Sequence, residues 1–279
     1  MPLLKLALAA LALLALGYGV LRLFERVAVY HPFRRMDGSP ADVGLAFEDV
    51  WLTARDGVRI HGWFLPAPTN APAVRARLAV VVAHGNGGNI SHRLGLYGLL
   101  HRLGLNVLAF DYRGYGRSEG RPTEAGTYLD AEAASDWLEQ RGFARGRIIA
   151  FGESLGGGVA SELARRRPGL GGLVLQSSFT SIPDVGAERY PFLLPRLLAR
   201  IRYDTRSKLP QLNLPVLILH GRGDTLIGFH HAEANFAAAA GPRWLHEIAG
   251  DHNDPPDLDA AAYLAGWSGF LDAVAMEAK

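Results

Sequence analysis

Apolar positions run almost without interruption from Pro2 to Phe24, and the pattern then breaks into short bursts separated by Gly, Pro and charged residues. Only Lys5 and Arg22 interrupt the first run, one near each end, where long side chains reach back to lipid headgroups. A helix of about 20 residues, rising 1.5 Å per residue, crosses a hydrocarbon core of ~30 Å. The pattern therefore predicts a membrane anchor over residues 1–26. A cleaved signal peptide is the rival, because Gly17-Tyr18-Gly19 places small residues two apart; a buried soluble helix is a second. The run continues past that point through Val20, Leu21, Leu23 and Phe24, which favours an uncleaved anchor. Arg22, Arg26, Arg34 and Arg35 follow the span and only Lys5 and the amino terminus precede it, a balance that keeps the rest of the chain on the cytoplasmic side. Secretion signals begin with the same lysine-then-apolar order, so the side stays open.

After a connector at residues 31–44, Phe47–Leu52 and Val58–Leu65 read as strands, with Asp56-Gly57 as their turn. Leu78–Ala83 is a continuous apolar run, as expected of a strand buried on both faces. Helical spacing over Ser91–Arg102 precedes a second such strand, Asn106–Phe110. Thr123–Gln140 reads as a helix capped by Thr123. Ile148–Phe151 is a strand that turns through glycines into the helical stretch Val159–Ala164. Leu173–Leu175 and Val216–Leu219 are further strands, Phe229–Ala240 is helical, Trp244–Ile248 is a last strand, and Leu258–Met276 is a closing helix. Strands alternating with helices after an opening hairpin predict an α/β fold, a mostly parallel, doubly wound sheet with an antiparallel start, over residues 27–279.

One interval is too long for a simple crossover. Residues 178–212 predict a small lid insertion, with an ordinary crossover helix carrying extra turns as the alternative. Within it, Leu194, Leu197, Leu198 and Ile201 form an apolar stripe at helical spacing, and Arg196 and Arg200 lie off the stripe. Phe192, Leu194 and Leu198 are candidate substrate-binding residues; plain core packing or a place in the membrane interface are the other uses of such a face.

Composition narrows the chemistry. At 279 residues, 49% hydrophobic and 20% charged, the chain has the makings of one domain with a large core and an appendage. A net charge of +2 gives no basic field for nucleic acid. With no cysteine there is no disulfide, thiolate zinc site or cysteine nucleophile.

Gly152-Glu153-Ser154-Leu155-Gly156 lies where a strand turns into a helix, the setting in which G-x-S-x-G lifts a serine hydroxyl clear of a sheet. A serine hydroxyl needs a base, and the base needs an orienting group. In this architecture the chain order is serine, acid, histidine. Asp224 follows the strand Val216–Leu219, and His252 follows the strand Trp244–Ile248, so both sit on loops at the sheet edge where Ser154 emerges. Asp251 and Asp254 are rival acids; His220, His230 and His231 are rival bases. An oxyanion hole needs two preorganised donors. The backbone N–H groups of Leu155, directly after the serine, and of Asn86, in the loop His84-Gly85-Asn86-Gly87-Gly88-Asn89, are the candidates. That loop lacks the Lys-Ser/Thr of a phosphate cradle and the spacing of a dinucleotide fingerprint.

Together with Asp111-Tyr112-Arg113-Gly114-Tyr115-Gly116-Arg117-Ser118, His220-Gly221-Arg222-Gly223-Asp224 and Gly250-Asp251-His252, these motifs resemble the α/β-hydrolase superfamily. The likeness is nearest to its single-span, membrane-anchored branch, which includes eukaryotic protein depalmitoylases, and Tyr30-His31-Pro32 is similar to that branch too. It runs from about Tyr30 to the C-terminus. One departure is Leu226-Ile227-Gly228, where relatives carry a Val-Pro pair after the acid. The resemblance implies a serine hydrolase without cofactor or metal, acting on esters, thioesters or lipids, and it gives Asp111 and Arg113 a structural part. The expectation is an esterase or lipase-like enzyme with a small-molecule or lipid ester substrate, held to the bilayer by its N-terminal helix. A thioesterase or peptidase on the same fold is the alternative, and a non-enzymatic membrane scaffold is the alternative of another class. The oligomeric state stays open.

Overall fold

The computed structural model describes residues 2–254 and 256–277; the expected bounds 1–26 and 27–279 also take in residues 1, 255, 278 and 279, which lie outside the described residues. Helix α1 (Pro2–Val29) comes first. The span Leu3–Val29 has a mean hydropathy of 2.1, and its most apolar stretch is not buried inside the protein. It is long and apolar enough to cross a membrane, a property shared with signal sequences. It runs three residues past the expected boundary at 26, and its last turns meet the rest of the protein. Val29 and Tyr30 are buried in the core.

Strands β1 (Glu48–Thr53) and β2 (Arg59–Leu65) form the expected hairpin, and Gly57 supplies the left-handed turn residue at φ 85°. Then come β3 (Ala79–Ala83), α2 (Leu94–Arg102), β4 (Asn106–Phe110), α3 (Glu124–Gln140), β5 (Ile148–Glu153) and α4 (Leu155–Arg166). They are followed by β6 (Gly172–Gln176), α5 (Ile182–Arg189), α6 (Pro195–Leu198), β7 (Val216–Gly221), α7 (Phe229–Ala238), β8 (Arg243–Ile248), α8 (Ala260–Gly266) and α9 (Ser268–Glu277). One eight-stranded sheet has the order β1-β2-β4-β3-β5-β6-β7-β8. β2 alone runs against the direction of the other seven strands.

The central strands of the sheet are buried on both faces, which is why they are continuously apolar. Along β3, Ala79, Val81 and Ala83 join the core under α3, α4 and α7, while Val80 and Val82 join the core under α2, α8 and α9. This two-residue alternation builds two cores from one strand. Thr123 caps α3 as expected, its hydroxyl accepting the Gly126 N–H at 3.0 Å.

Two expected helices take another form. The closing helix breaks at Trp267, which is fully buried and stacks on Phe151 at 6.1 Å between ring centroids. The break lets Tyr263 before it and Phe270 after it both pack inward. The helix over the lid stripe does not form. A short 3-10 turn, Pro191–Leu193, is followed by the four-residue α6. Leu194 precedes a proline, which disfavours the right-handed helical region, and it adopts φ 47°, ψ 53° instead. Ala199 is already extended. The Arg200 and Ile201 N–H groups both donate to Glu25 Oε1 of α1 at 2.7 Å, so they are not available to a helix. Leu194, Leu197, Leu198 and Ile201 thus do not share one helical face.

Candidate active site

The elbow is built by steric exclusion. Ser154 adopts φ 52°, ψ −114°, a strained conformation for a residue with a Cβ. A Cβ on Gly152 would collide with the Gly156 carbonyl, and one on Gly156 with the Ala83 carbonyl of β3. Both positions therefore require glycine. The turn is held from below: the Ser154 N–H donates to the Gln176 carbonyl at 2.9 Å, and the Ser178 hydroxyl donates to the Ser154 carbonyl at 3.0 Å.

The loops after β7 and β8 bring the other two groups to this turn. His252 Nε2 lies 3.1 Å from Ser154 Oγ, and His252 Nδ1 lies 2.8 Å from Asp224 Oδ2. The other Asp224 oxygen accepts the Leu226 and Ile227 N–H groups at 3.0 and 2.7 Å. Burial pushes the Asp224 carboxyl up, but hydrogen bonds from His220, His252 and the Ile227 backbone outweigh it and hold the group far below the usual carboxylate range. It is ionised and positioned to fix the imidazole tautomer. The departure at Leu226-Ile227-Gly228 leaves the acid in place, since the amides of this segment are its hydrogen-bond donors.

The rivals fall elsewhere. Asp251 Oδ1 accepts the Thr225 and His252 N–H groups, each at 2.7 Å, and so joins the acid loop to the histidine loop. Asp254 Oδ2 accepts the Asp251 N–H at 2.8 Å. His220 is buried beside Asp224 and donates to the Ile227 carbonyl at 2.7 Å. His230 and His231 lie on α7 and do not line the cavity around Ser154.

That cavity holds about 450 Å³ and is lined by Asn86, Arg93, Glu153 and Asp251 among others, together with Ser154 and His252. Leu155 is the first residue of α4, so its N–H has no intrahelical partner. The Asn86 carbonyl accepts the Tyr115 hydroxyl at 2.8 Å and the His31 N–H at 3.1 Å, and the Asn86 side chain donates to the Val29 carbonyl at 3.1 Å. The end of α1 thus holds the oxyanion-loop candidate, a contact between distant segments that no local pattern signals. Sequence reasoning also passed over Arg93, whose guanidinium meets the Glu153 carboxylate at 3.0 Å in the cavity wall. Burial raises the Glu153 pKa, but the Arg93 charge outweighs it and keeps that carboxyl lowered.

Asp111 accepts the Ile90 N–H at 2.9 Å, and Arg113 clasps Asp56 and Asp130 at 2.6 and 2.8 Å. Neither lines the cavity. Phe192, Leu194 and Leu198 are also absent from its walls. Phe192 and Leu194 are largely exposed, and Leu198 lines a separate apolar cleft of about 150 Å³ between α1 and the lid. The structure does not bring these three to Ser154, because the segment that carries them turns toward α1.

A mostly parallel eight-stranded sheet, with a serine elbow after β5 and an acid and a histidine on the loops after β7 and β8, defines the α/β hydrolases as a class. Comparison with known proteins agrees. Residues 74–208 match the family model of the serine aminopeptidases, S33. The uncharacterised protein Rv2307c of Mycobacterium tuberculosis is 40% identical over 254 residues, covering 90% of this chain and 89% of its own. The α/β hydrolase domain-containing protein WAV2 of Arabidopsis thaliana is 34% identical, covering 80% and 78%. The esterase Pf2001 of Pyrococcus furiosus shares the fold with a TM-score of 0.69 at 21% identity, over 87% of this chain and 98% of that one. The chain is a hydrolase and belongs to the α/β-hydrolase superfamily.

Proposed function

We propose that the chain is a serine hydrolase of carboxylic esters. The observation that carries this reading is the line from Asp224 through His252 to Ser154, with contacts of 2.8 and 3.1 Å. Ser154 Oγ attacks the acyl carbonyl carbon and its proton passes to His252 Nε2. Asp224 holds the Nδ1–H tautomer and stabilises the imidazolium. The Leu155 and Asn86 N–H groups receive the oxyanion. His252 then protonates the departing alcohol, and water, deprotonated by the same nitrogen, releases the acid from Ser154. No step in this sequence calls on a cofactor.

We place the reaction at a membrane, with α1 as an uncleaved anchor and a lipophilic ester as substrate. Support comes from the length and hydropathy of α1 and from the exposed Phe192, Leu194 and Leu197 on the lid that packs against it. In this arrangement those side chains meet the bilayer. Amide hydrolysis is the second reading, and the match to a serine aminopeptidase family favours it. Detergent-solubilised protein should be labelled by a fluorophosphonate probe and should hydrolyse p-nitrophenyl esters faster than the matching thioesters and aminoacyl p-nitroanilides. Preference for the anilides would turn the reading to a peptidase, and absence of labelling would point to a scaffold.

A further inference from the structure

Two of the rival histidines, which catalysis does not use, belong to a separate cluster. His230 and His231 open α7, and Glu188 lies in the last turn of the lid helix α5. Glu188 Oε1 is 2.9 Å from His230 Nε2 and 3.3 Å from His231 Nε2. The three ligand atoms lie within 4.8 Å of one another. A tetrahedral ion with bonds of about 2.0–2.1 Å separates its ligand atoms by roughly 3.3–3.4 Å. The spacing of the cluster needs only small side-chain adjustments to meet that.

A second observation concerns burial. The His231 side chain is 2% exposed, and its buried Nε2 makes no well-formed hydrogen bond, with the Glu188 carboxylate at 3.3 Å as its polar neighbour. An orphaned buried polar atom is costly, and this one faces the Glu188 carboxylate. An imidazole ligates a metal through one ring nitrogen, here Nε2 of His231. Its other nitrogen lies beside a hydroxyl that can accept the ring proton once the tautomer changes. Nδ1 lies 2.9 Å from the Thr180 hydroxyl, which in turn donates to Asp184 at 2.8 Å. With a metal on Nε2 the ring proton sits on Nδ1 and the Thr180 oxygen accepts it. The Thr180 backbone N–H, 3.2 Å from the same Nδ1 in the metal-free tautomer, gives up that contact. The ring exchanges one neutral tautomer for the other, so no net proton is released. An adjoining cavity of about 460 Å³, lined by Thr180, Asp184, Arg196 and Arg206 besides the cluster, has room for a water as fourth ligand.

We propose that Glu188, His230 and His231 bind a divalent transition ion of the zinc type, which clips the lid helix α5 to α7. Two imidazoles and one carboxylate form a nitrogen-rich donor set suited to such an ion and unsuited to magnesium. The clip reaches the catalytic loops through the next residue. Arg189 Nη2 donates to the Thr225 and Leu226 carbonyls, at 2.9 and 3.1 Å, directly after Asp224. A metal on Glu188 therefore fixes the base of the lid against the acid loop while standing apart from the reacting atoms.

The test uses full-length protein in detergent, stripped with EDTA and titrated with Zn²⁺ against a chromophoric chelator. The expected result is one ion per chain, a melting temperature that rises with Zn²⁺ and not with Mg²⁺, and the same affinity in His252→Ala. His230→Ala and Glu188→Gln, both at exposed positions, should each weaken Zn²⁺ binding at least tenfold and remove the thermal shift. His231→Gln adds a third arm, and the proposal does not depend on that buried variant folding. Absence of stoichiometric binding overturns the proposal. So does affinity unchanged in both exposed variants, an equal response to Mg²⁺, or loss of the site in His252→Ala. These readouts do not depend on esterase activity, so the proposal and the catalytic reading fail separately.

Discussion

At the scale of single residues, two aspartates stand near His252 with different geometry. Asp224 faces Nδ1 of the ring, whereas Asp251 accepts backbone N–H groups from Thr225 and His252. Ser154→Ala should abolish probe labelling and lower kcat by about 10³-fold or more. Asp224→Asn removes the anion that sets the tautomer and should lower kcat by about 10⁴-fold with the fold intact. Asp251→Asn keeps an amide oxygen able to accept the same N–H groups, so a loss of about tenfold or less is expected. Steady-state kinetics on one p-nitrophenyl ester, with circular dichroism as the folding control, checks all three. Near-normal turnover in Asp224→Asn beside a collapse in Asp251→Asn would reverse the assignment of the acid.

At the scale of elements, α4 shows how the Ser154 turn is secured from behind. Glu162 on α4 receives Arg165 and Arg166 at 2.6 and 2.7 Å, and Lys208 Nζ lies 3.4 Å away while also donating to the Gly158 carbonyl at 3.1 Å. Burial raises the Glu162 pKa, but these cations outweigh it and bring it down to about 2 from an ordinary 4.5. A carboxyl with a depressed folded pKa contributes stability that is present in full above its unfolded value and lost as pH falls through its folded value. The stability gap between wild type and Glu162→Gln should therefore be widest above pH 4.5 and shrink toward pH 2, measured by urea unfolding. A gap that does not change with pH would show that the carboxylate charge is not what the cluster uses.

The elements also divide by what local pattern reveals. β3 and β4 were legible because strands buried on both faces must be apolar throughout. The serine elbow was legible because Gly152 and Gly156 are forced by backbone approach and leave a fixed spacing around Ser154. Asp224 and His252 followed from strand order, since parallel strands deliver their following loops to one edge. The helix expected over the lid stripe does not form, because apolar spacing carries no information about Leu194 before Pro195 or about Glu25 withdrawing the Arg200 and Ile201 amides. The Glu188 cluster was invisible for a similar reason: its partners lie on α5 and α7, and only the tertiary fold brings them together.

At the scale of the whole molecule, α1 is both a membrane-length helix and a structural part of the catalytic domain. Arg22 donates to the Leu198 carbonyl at 2.8 Å, and Glu25 takes the Arg200 and Ile201 amides, so the lid rests on the last turns of the helix. Phe24 meets Tyr190 edge to face at 5.7 Å between ring centroids. Farther along, the Val29 carbonyl and the His31 N–H hold the side chain and the carbonyl of Asn86. The proposed catalytic constellation, which lies downstream in sequence, is thus supported by what lies upstream. Position of the cut, and not loss of the bilayer alone, should then decide whether a truncated chain works. Removing residues 2–19 takes away exposed apolar surface and leaves each of these contacts, so kcat on p-nitrophenyl acetate and the melting temperature should match the full-length protein. Removing residues 2–31 takes the Val29 and His31 contacts from Asn86, leaving its carbonyl only the Tyr115 hydroxyl, and takes from the lid its support. An oxyanion donor held loosely is worth far less than a preorganised one, so a loss of at least tenfold in kcat is expected even where the protein stays folded. Replacing Asn86 with Ala in the full chain separates loop support from lid support, because it removes only the bond to Val29 and should reproduce part of that loss. Full kcat after removal of residues 2–31 would show that the sheet alone positions the oxyanion loop.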